Sequence, residues 1–126
     1  MSCVTVTHTT RTYPRLPYEQ IKDTILGSNY ELSLVFVGET RARQLNQAYR
    51  NKDYTPDVLS FPLDDTHGEM FLCLQKIYRT APRYGRSKVG QVGFLFIHGL
   101  LHLKGYSHGA TMEEAEKKYC TKFKIK

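Results

Sequence analysis

Apolar and polar positions alternate with a period of two at the start of the chain, where Val4, Val6 and His8 interleave with Thr5, Thr7 and Thr9. β-Branched residues at that period predict a half-buried strand over residues 2–10. The period then lengthens. Pro17 is suited to the first position of a helix, Ile21, Ile25 and Leu26 supply its apolar stripe, and Gly27 ends it. "ELSLVFV" reads as a second strand. From Glu39 to Arg50, "ETRARQLNQAYR" puts Ala42, Leu45, Ala48 and Tyr49 on one helical face with Arg41 and Arg43 outside.

"NKDYTPD" is turn chemistry, since Asn, Asp and Pro each favour non-helical backbone. "VLSFPL" follows as a strand near a sheet edge, because Pro62 has no N–H to donate to a ladder. "DDTHGE" is a turn, and "MFLCLQKIY" starts as a strand and passes into helix. Residues 79–88, "RTAPRYGRSK", read as a loop carrying three arginines, a lysine and a tyrosine. Ser87 is placed to cap a helix through "KVGQVGFLFIHGLLHLK" that Gly105 stops. A last helix is expected near Thr111, where "TMEE" matches a capping box. The order of elements predicts an α+β fold in a single domain over residues 1–126, a small mixed β-sheet packed with helices around a central buried helix.

Composition narrows the class. At 126 residues the chain is the size of one ordinary domain, and 40% hydrophobic with 12% aromatic residues is too much burial potential for a disordered protein. Lys and Arg number 18 against 12 Asp and Glu, a net charge of +6, so the long-range field favours an anionic partner such as nucleic acid; a basic surface with no ligand is the alternative. Cys3, Cys73 and Cys120 are odd in number and lack C-x-x-C spacing, which fits a reducing, cytoplasmic setting and neither a disulfide framework nor a cysteine zinc site. The N-terminal stretch has no continuous apolar run of the secretory kind, and "VGFLFIHGLLHL" falls well short of the roughly 20 residues of a membrane helix.

The chemistry concentrates in "FIHGLLHLKGYSHG", which holds His98, His102 and His108. At about 100° per residue, His98 and His102 project from one face of the helix, and Gly105 lets the chain reverse so that His108 returns toward them. A single histidine on an apolar helix is ordinarily a satisfied core residue; a second four residues on and a third after a glycine turn point to a metal site. The offsets of zero, four and ten, with glycine at seven, equal those of the metzincin pattern H-E-x-x-H-x-x-G-x-x-H. Gly99 stands where that pattern carries its glutamate base, which argues against a metzincin protease. Three histidines with an open fourth position suit a catalytic Zn2+, one per chain; structural zinc is disfavoured because no fourth protein ligand is in sight. Three neutral imidazoles leave the ion's charge uncompensated, which suits an anionic substrate and, with the basic balance, phosphodiester hydrolysis.

"HGLLHLKGYSHG" resembles the H-G-x-L-H-L-x-G-Y-D-H signature of the YbeY family of endoribonucleases. "LNQAYRNKDYTPDVLSFP", Leu45 to Pro62, is similar to that family's L-N-x-x-Y-R-x-K-D-x-P-T-D-V-L-S-F-P block, in the same order along the chain. The resemblance implies zinc held by His98, His102 and His108, a functional arginine at Arg50, and action on ribosomal RNA in single-stranded regions, notably the 3′ end of the small-subunit RNA. It implies small-subunit ribosomal proteins and an assembly GTPase as candidate protein partners, and neither membrane nor DNA. Arg50 has independent sense as a guanidinium that holds a phosphate oxygen, the alternative being a surface arginine at a helix end. Arg79, Arg83, Arg86, Lys88 and the C-terminal lysines are expected on phosphates, with Tyr84 as a stacking surface. The tail lysines have a plainer alternative as a solvated helix face.

The chain departs from the family pattern in three places. Ser107 replaces the aspartate before the last histidine, which predicts loss of a charged partner behind the ligands. "YTPD" inverts the P-T-D order, and "FLCL" stands where the family has L-G-D-I. A non-catalytic assembly factor that binds RNA or a ribosomal protein, with structural zinc, is the competing function, since Gly99 leaves no obvious base.

Overall fold

Threonine and valine alternate through Cys3–His8, and the chain there is extended as β1. The structure, a computed structural model, describes residues 3–10 and 12–126. Residue 2 of the expected first strand therefore lies outside the described residues, and Thr9 and Thr10 form a bend. The elements that follow are α1 (Tyr18–Leu26), β2 (Glu31–Val37), α2 (Glu39–Arg50), β3 (Val58–Asp64), β4 (His67–Cys73) and α3 (Leu74–Thr80). A 3₁₀ turn (Ala81–Tyr84), α4 (Lys88–Lys104) and α5 (Ala110–Lys122) complete the order.

The fold is α+β, with a four-stranded mixed sheet in the order β1-β2-β4-β3. β1, β2 and β4 run parallel, while β3 is antiparallel to β4 and forms an edge that accommodates Pro62. The register sets Leu34 beside Met70 and Met70 beside Ser60. Leu32, Leu34, Phe36, Met70 and Leu72 share one buried face and meet Ile21 and Ile25 of α1 and Phe96, Ile97 and Leu100 of α4. Full burial of each such side chain contributes about 1.5–3 kcal/mol. The opposite face is covered by α2, where Ala42 packs with Val37 and Cys73.

Three expectations shift. On α2 the buried positions are Ala42, Leu45 and Asn46, whereas Tyr49 is 71% exposed beside the Phe61 ring. Asn46 is inside because its amide donates to the Tyr54 carbonyl at 3.0 Å and pins the following loop. Residues 79–88 are not all loop: α3 runs to Thr80 and the chain coils on through a 3₁₀ turn, which tolerates Pro82 because an N–H at its start has no partner to lose. The capping box does not form. Entered directly from the His108 turn, α5 begins at Ala110, so Thr111 lies inside its first turn and no side chain caps the end.

The central helix behaves as its sequence requires. The Ser87 hydroxyl accepts from the Gly90 N–H at 2.9 Å, a regular N-cap. At the other end Gly105 is left-handed (φ 109°), its N–H bonding the His102 carbonyl while the Tyr106 N–H reaches the Leu101 carbonyl. That pair of bonds is a Schellman stop. Midway, α4 lies so close to the sheet that a Cβ on Gly99 would fall 2.6 Å from Met70 Cε and 2.8 Å from Ser60 Oγ.

Candidate metal centre and cleft

The helix stop also builds the site. The carbonyl of Tyr106 accepts from His102 Nδ1 at 3.1 Å, so the turn that ends α4 holds the ring of the helix's last histidine. His98 Nδ1 donates to Glu116 Oε2 on α5 at 2.6 Å. Glu116 is 8% exposed, and among the described residues it is the one buried acid. With both Nδ1 atoms committed as donors, the Nε2 atoms of His98 and His102 face each other at 3.1 Å. Two neutral rings would oppose lone pairs there, an arrangement that calls for a proton or a metal ion.

His108 closes the group. Its ring centroid lies 5.2 Å from that of His98 and 4.6 Å from that of His102. One nitrogen from each of the three falls within 4.8 Å of the others, so the three histidines can hold one metal ion. Burial pushes the His102 imidazole below its ordinary value, and the neighbouring His98 and His108 rings push the same way against the Tyr106 carbonyl and Glu116. A neutral ring is the ligating form. Among the described residues no carboxylate belongs to the ligand set, and the nitrogen-only donors suit a borderline ion such as zinc better than magnesium or calcium.

The histidines form one wall of a cleft of about 610 Å³. Arg50, at the end of α2, and Arg83, in the 3₁₀ turn, line it with Asp57 and Ser60. The side chains of Arg50, Arg83 and Asp57 have no hydrogen-bond or ion-pair partner among the described residues, so two guanidinium groups and one carboxylate are free for a ligand. The loop that carries Asp57 is tied down by the Asn46 amide, by Lys76 Nζ donating to the Thr55 carbonyl, and by the Cys73 N–H reaching the Asp57 carbonyl.

The other cations expected on substrate are elsewhere. Arg86 stacks on the Phe94 ring at 3.9 Å and donates to Gln91, outside the cleft lining. Lys88 lies over Tyr78 at 5.7 Å, and Arg79 pairs with Glu39 at 2.6 Å. Sequence reasoning passed over Glu116. Its signal was an acid four residues after the buried Met112, on the inward side of an otherwise polar helix. The loss predicted for Ser107 is offset here, because the carboxylate behind His98 arrives from α5 instead.

Residues 6–124 match the family model described as Endoribonuclease YbeY. The chain belongs to the YbeY family. Among YbeY relatives, the protein named Endoribonuclease YbeY of Ureaplasma urealyticum serovar 10 is 46% identical over 85 residues, 63% of this chain and 55% of that protein. The YbeY of Phytoplasma australiense is 38% identical over 109 residues, 79% of this chain and 72% of its own length. Against the Ureaplasma and Mycoplasma relatives, the chain spans a little over half their length. A solution structure from Thermotoga maritima superimposes with a TM-score of 0.69 at 26% identity, covering 92% of this chain and 85% of that one. Among the described residues no helix is long and apolar enough to cross a membrane.

Proposed function

We propose that this chain is a zinc-dependent endoribonuclease that cuts single-stranded RNA and serves ribosomal RNA processing, including the 3′ end of the small-subunit RNA. The observation that carries the reading is the facing pair of Nε2 atoms on His98 and His102, with His108 beside them, at the wall of a cleft whose Arg50 and Arg83 side chains have no partner among the described residues. The relatives named as endoribonucleases support the reaction class, and the ribosomal substrate follows from the family resemblance alone.

His98, His102 and His108 hold the ion, and Zn2+ bound there supplies Lewis acidity toward a phosphoryl oxygen and toward water. Glu116 and the Tyr106 carbonyl keep two of the rings turned with Nε2 outward. Arg50 binds the scissile phosphate through its planar fork and stabilises the charge that grows on its oxygens. Arg83 binds a neighbouring phosphate. In the hydrolysis a water oxygen bonds to phosphorus, the bond to the leaving oxygen breaks and that oxygen takes up a proton from solvent, and the proton released by the water has an acceptor in the Asp57 carboxylate, the acid that lines the cleft.

The test is cleavage of a defined single-stranded RNA by highly purified, metal-loaded protein beside a His102→Ala variant from the same preparation. Cutting by the parent and not by the variant is expected. Equal cutting by both would trace the activity to a contaminant, and RNA binding without cutting by the parent would give the assembly-factor reading instead.

A further inference from the structure

Beyond the cleft, a second groove runs between the 3₁₀ turn, α4 and α5, lined by Tyr84, Arg86, Phe94, Lys117 and Lys124 among others. Two contacts join it to the metal wall. Tyr84, 58% exposed and with no hydrogen-bond partner for its hydroxyl among the described residues, lines both depressions, and so stands on the divide between them. Phe94 lines the groove and has two close neighbours: the Arg86 guanidinium 3.9 Å over its ring, and the His98 ring at 6.1 Å between centroids with 29° between planes. The guanidinium, the phenyl ring and a metal-site imidazole therefore form a chain of pairwise contacts from groove to cleft.

Cations outnumber the uncommitted acids in the groove. Arg86, Lys117 and Lys124 face it, against Glu113 and Glu116, and Glu116 is committed to His98. Lys117 and Lys124 are exposed and make no ion pair among the described residues. Exposed cations along a channel, with aromatic rings at its divide and in its lining, is the chemistry that recognises a single strand: phosphates on the cations, a base against a ring.

We infer that the groove between α4 and α5 is a second RNA subsite, which holds the nucleotides flanking the scissile phosphate as the strand leaves the cleft over Tyr84. The inference rests on the RNA reading given above. It assigns Arg86 to the flanking strand, away from the reacting phosphate. It also explains why Arg83 lines the cleft while Arg86, three residues on, lines the groove.

The test is the salt dependence of binding for fluorescent oligouridylates of two lengths, about four and about twelve nucleotides, to the zinc-loaded protein. The short strand fills the cleft and the long one extends into the groove. The long strand is expected to bind more tightly and to show the steeper fall of affinity with salt. Lys117→Gln with Lys124→Gln removes two phosphate contacts, which lowers the slope of log affinity against log salt by about 1.4 for the long strand, at about 0.7 per phosphate, and leaves the short strand unchanged. Tyr84→Ala is expected to weaken the long strand on the order of tenfold. Equal salt slopes for both lengths in the parent, or no change for the long strand in the double variant, would overturn the second subsite while leaving the cleft reading intact. A parent that binds neither length would remove the RNA reading and this inference with it.

Discussion

Glu116 Oε2 and His98 Nδ1 lie 2.6 Å apart, a charge-assisted bond between α5 and α4 with both side chains largely buried. The carboxylate fixes the tautomer of the ring and raises the basicity of its other nitrogen. Glu116→Gln is expected to keep the fold and weaken zinc binding by about 10–100-fold, and Glu116→Ala by more, since it leaves a buried N–H without a partner. Competition against a zinc chelator measures this directly. Zinc affinity equal to the parent's in both variants would show that the contact is only structural.

Arg50 is expected to separate chemistry from metal binding. Arg50→Ala should lower the cleavage rate on the order of 10²-fold or more with zinc content and melting temperature unchanged, and Arg50→Lys should recover it only partly because the fork is lost. Asp57→Asn should likewise slow cleavage without releasing metal. Elemental analysis, thermal melts and cleavage of one defined RNA, run together on all variants, decide between these roles and a merely exposed arginine.

Position 99 is expected to accept no carboxylate. Gly99→Glu would drive a side chain into Met70 and Ser60 and leave an unpaired charge against the sheet, a loss of at least several kcal/mol. A soluble variant with a parental melting temperature would contradict the close approach of α4 to the sheet.

His67 predicts a pH signature away from the site. Its ring bonds Asp64 at 2.8 Å and Glu31 at 2.7 Å, and the Asp64 hydrogen bond first, then both carboxylate charges, raise its value above the ordinary imidazole range. A raised value in the folded state stabilises below the unfolded imidazole value, and that contribution disappears as pH rises through the folded one. Asp64 is shifted down, chiefly by the Thr66 N–H, so its share fades as pH falls through its lowered folded value. The melting temperatures of parent and His67→Ala should therefore differ most near about pH 5 and converge above about pH 8. A difference that is constant across that range would mean that the charge plays no part.

Much of this was legible in the chain. Strand β2, both ends of α4 and the edge position of Pro62 follow from periodicity, one serine, one glycine and one missing N–H. The histidine trio was legible because its spacing is local: two ligands lie one helical turn apart and the third follows the turn that Gly105 permits. Glu116 was not, because its meaning depends on which side of α5 meets α4, and a single acid in "TMEEAEKKY" looks like its exposed neighbours. The same limit applies to Arg86 and Lys88. Two residues apart in sequence, they stack on Phe94 and Tyr78 respectively, because the chain passes into α4 between them.

The contact of Gly99 with Met70 and Ser60 bears on how this histidine spacing is shared between unlike enzymes. A protease with the same ligand offsets keeps its base on the ligand helix, one position after the first histidine. Here that position is the helix's point of contact with the sheet, so no single substitution leads from one chemistry to the other. Conversion would require the helix to lift off β3 and β4 first, and the core that Leu100 and Ile97 share with Met70 and Leu72 would open with it.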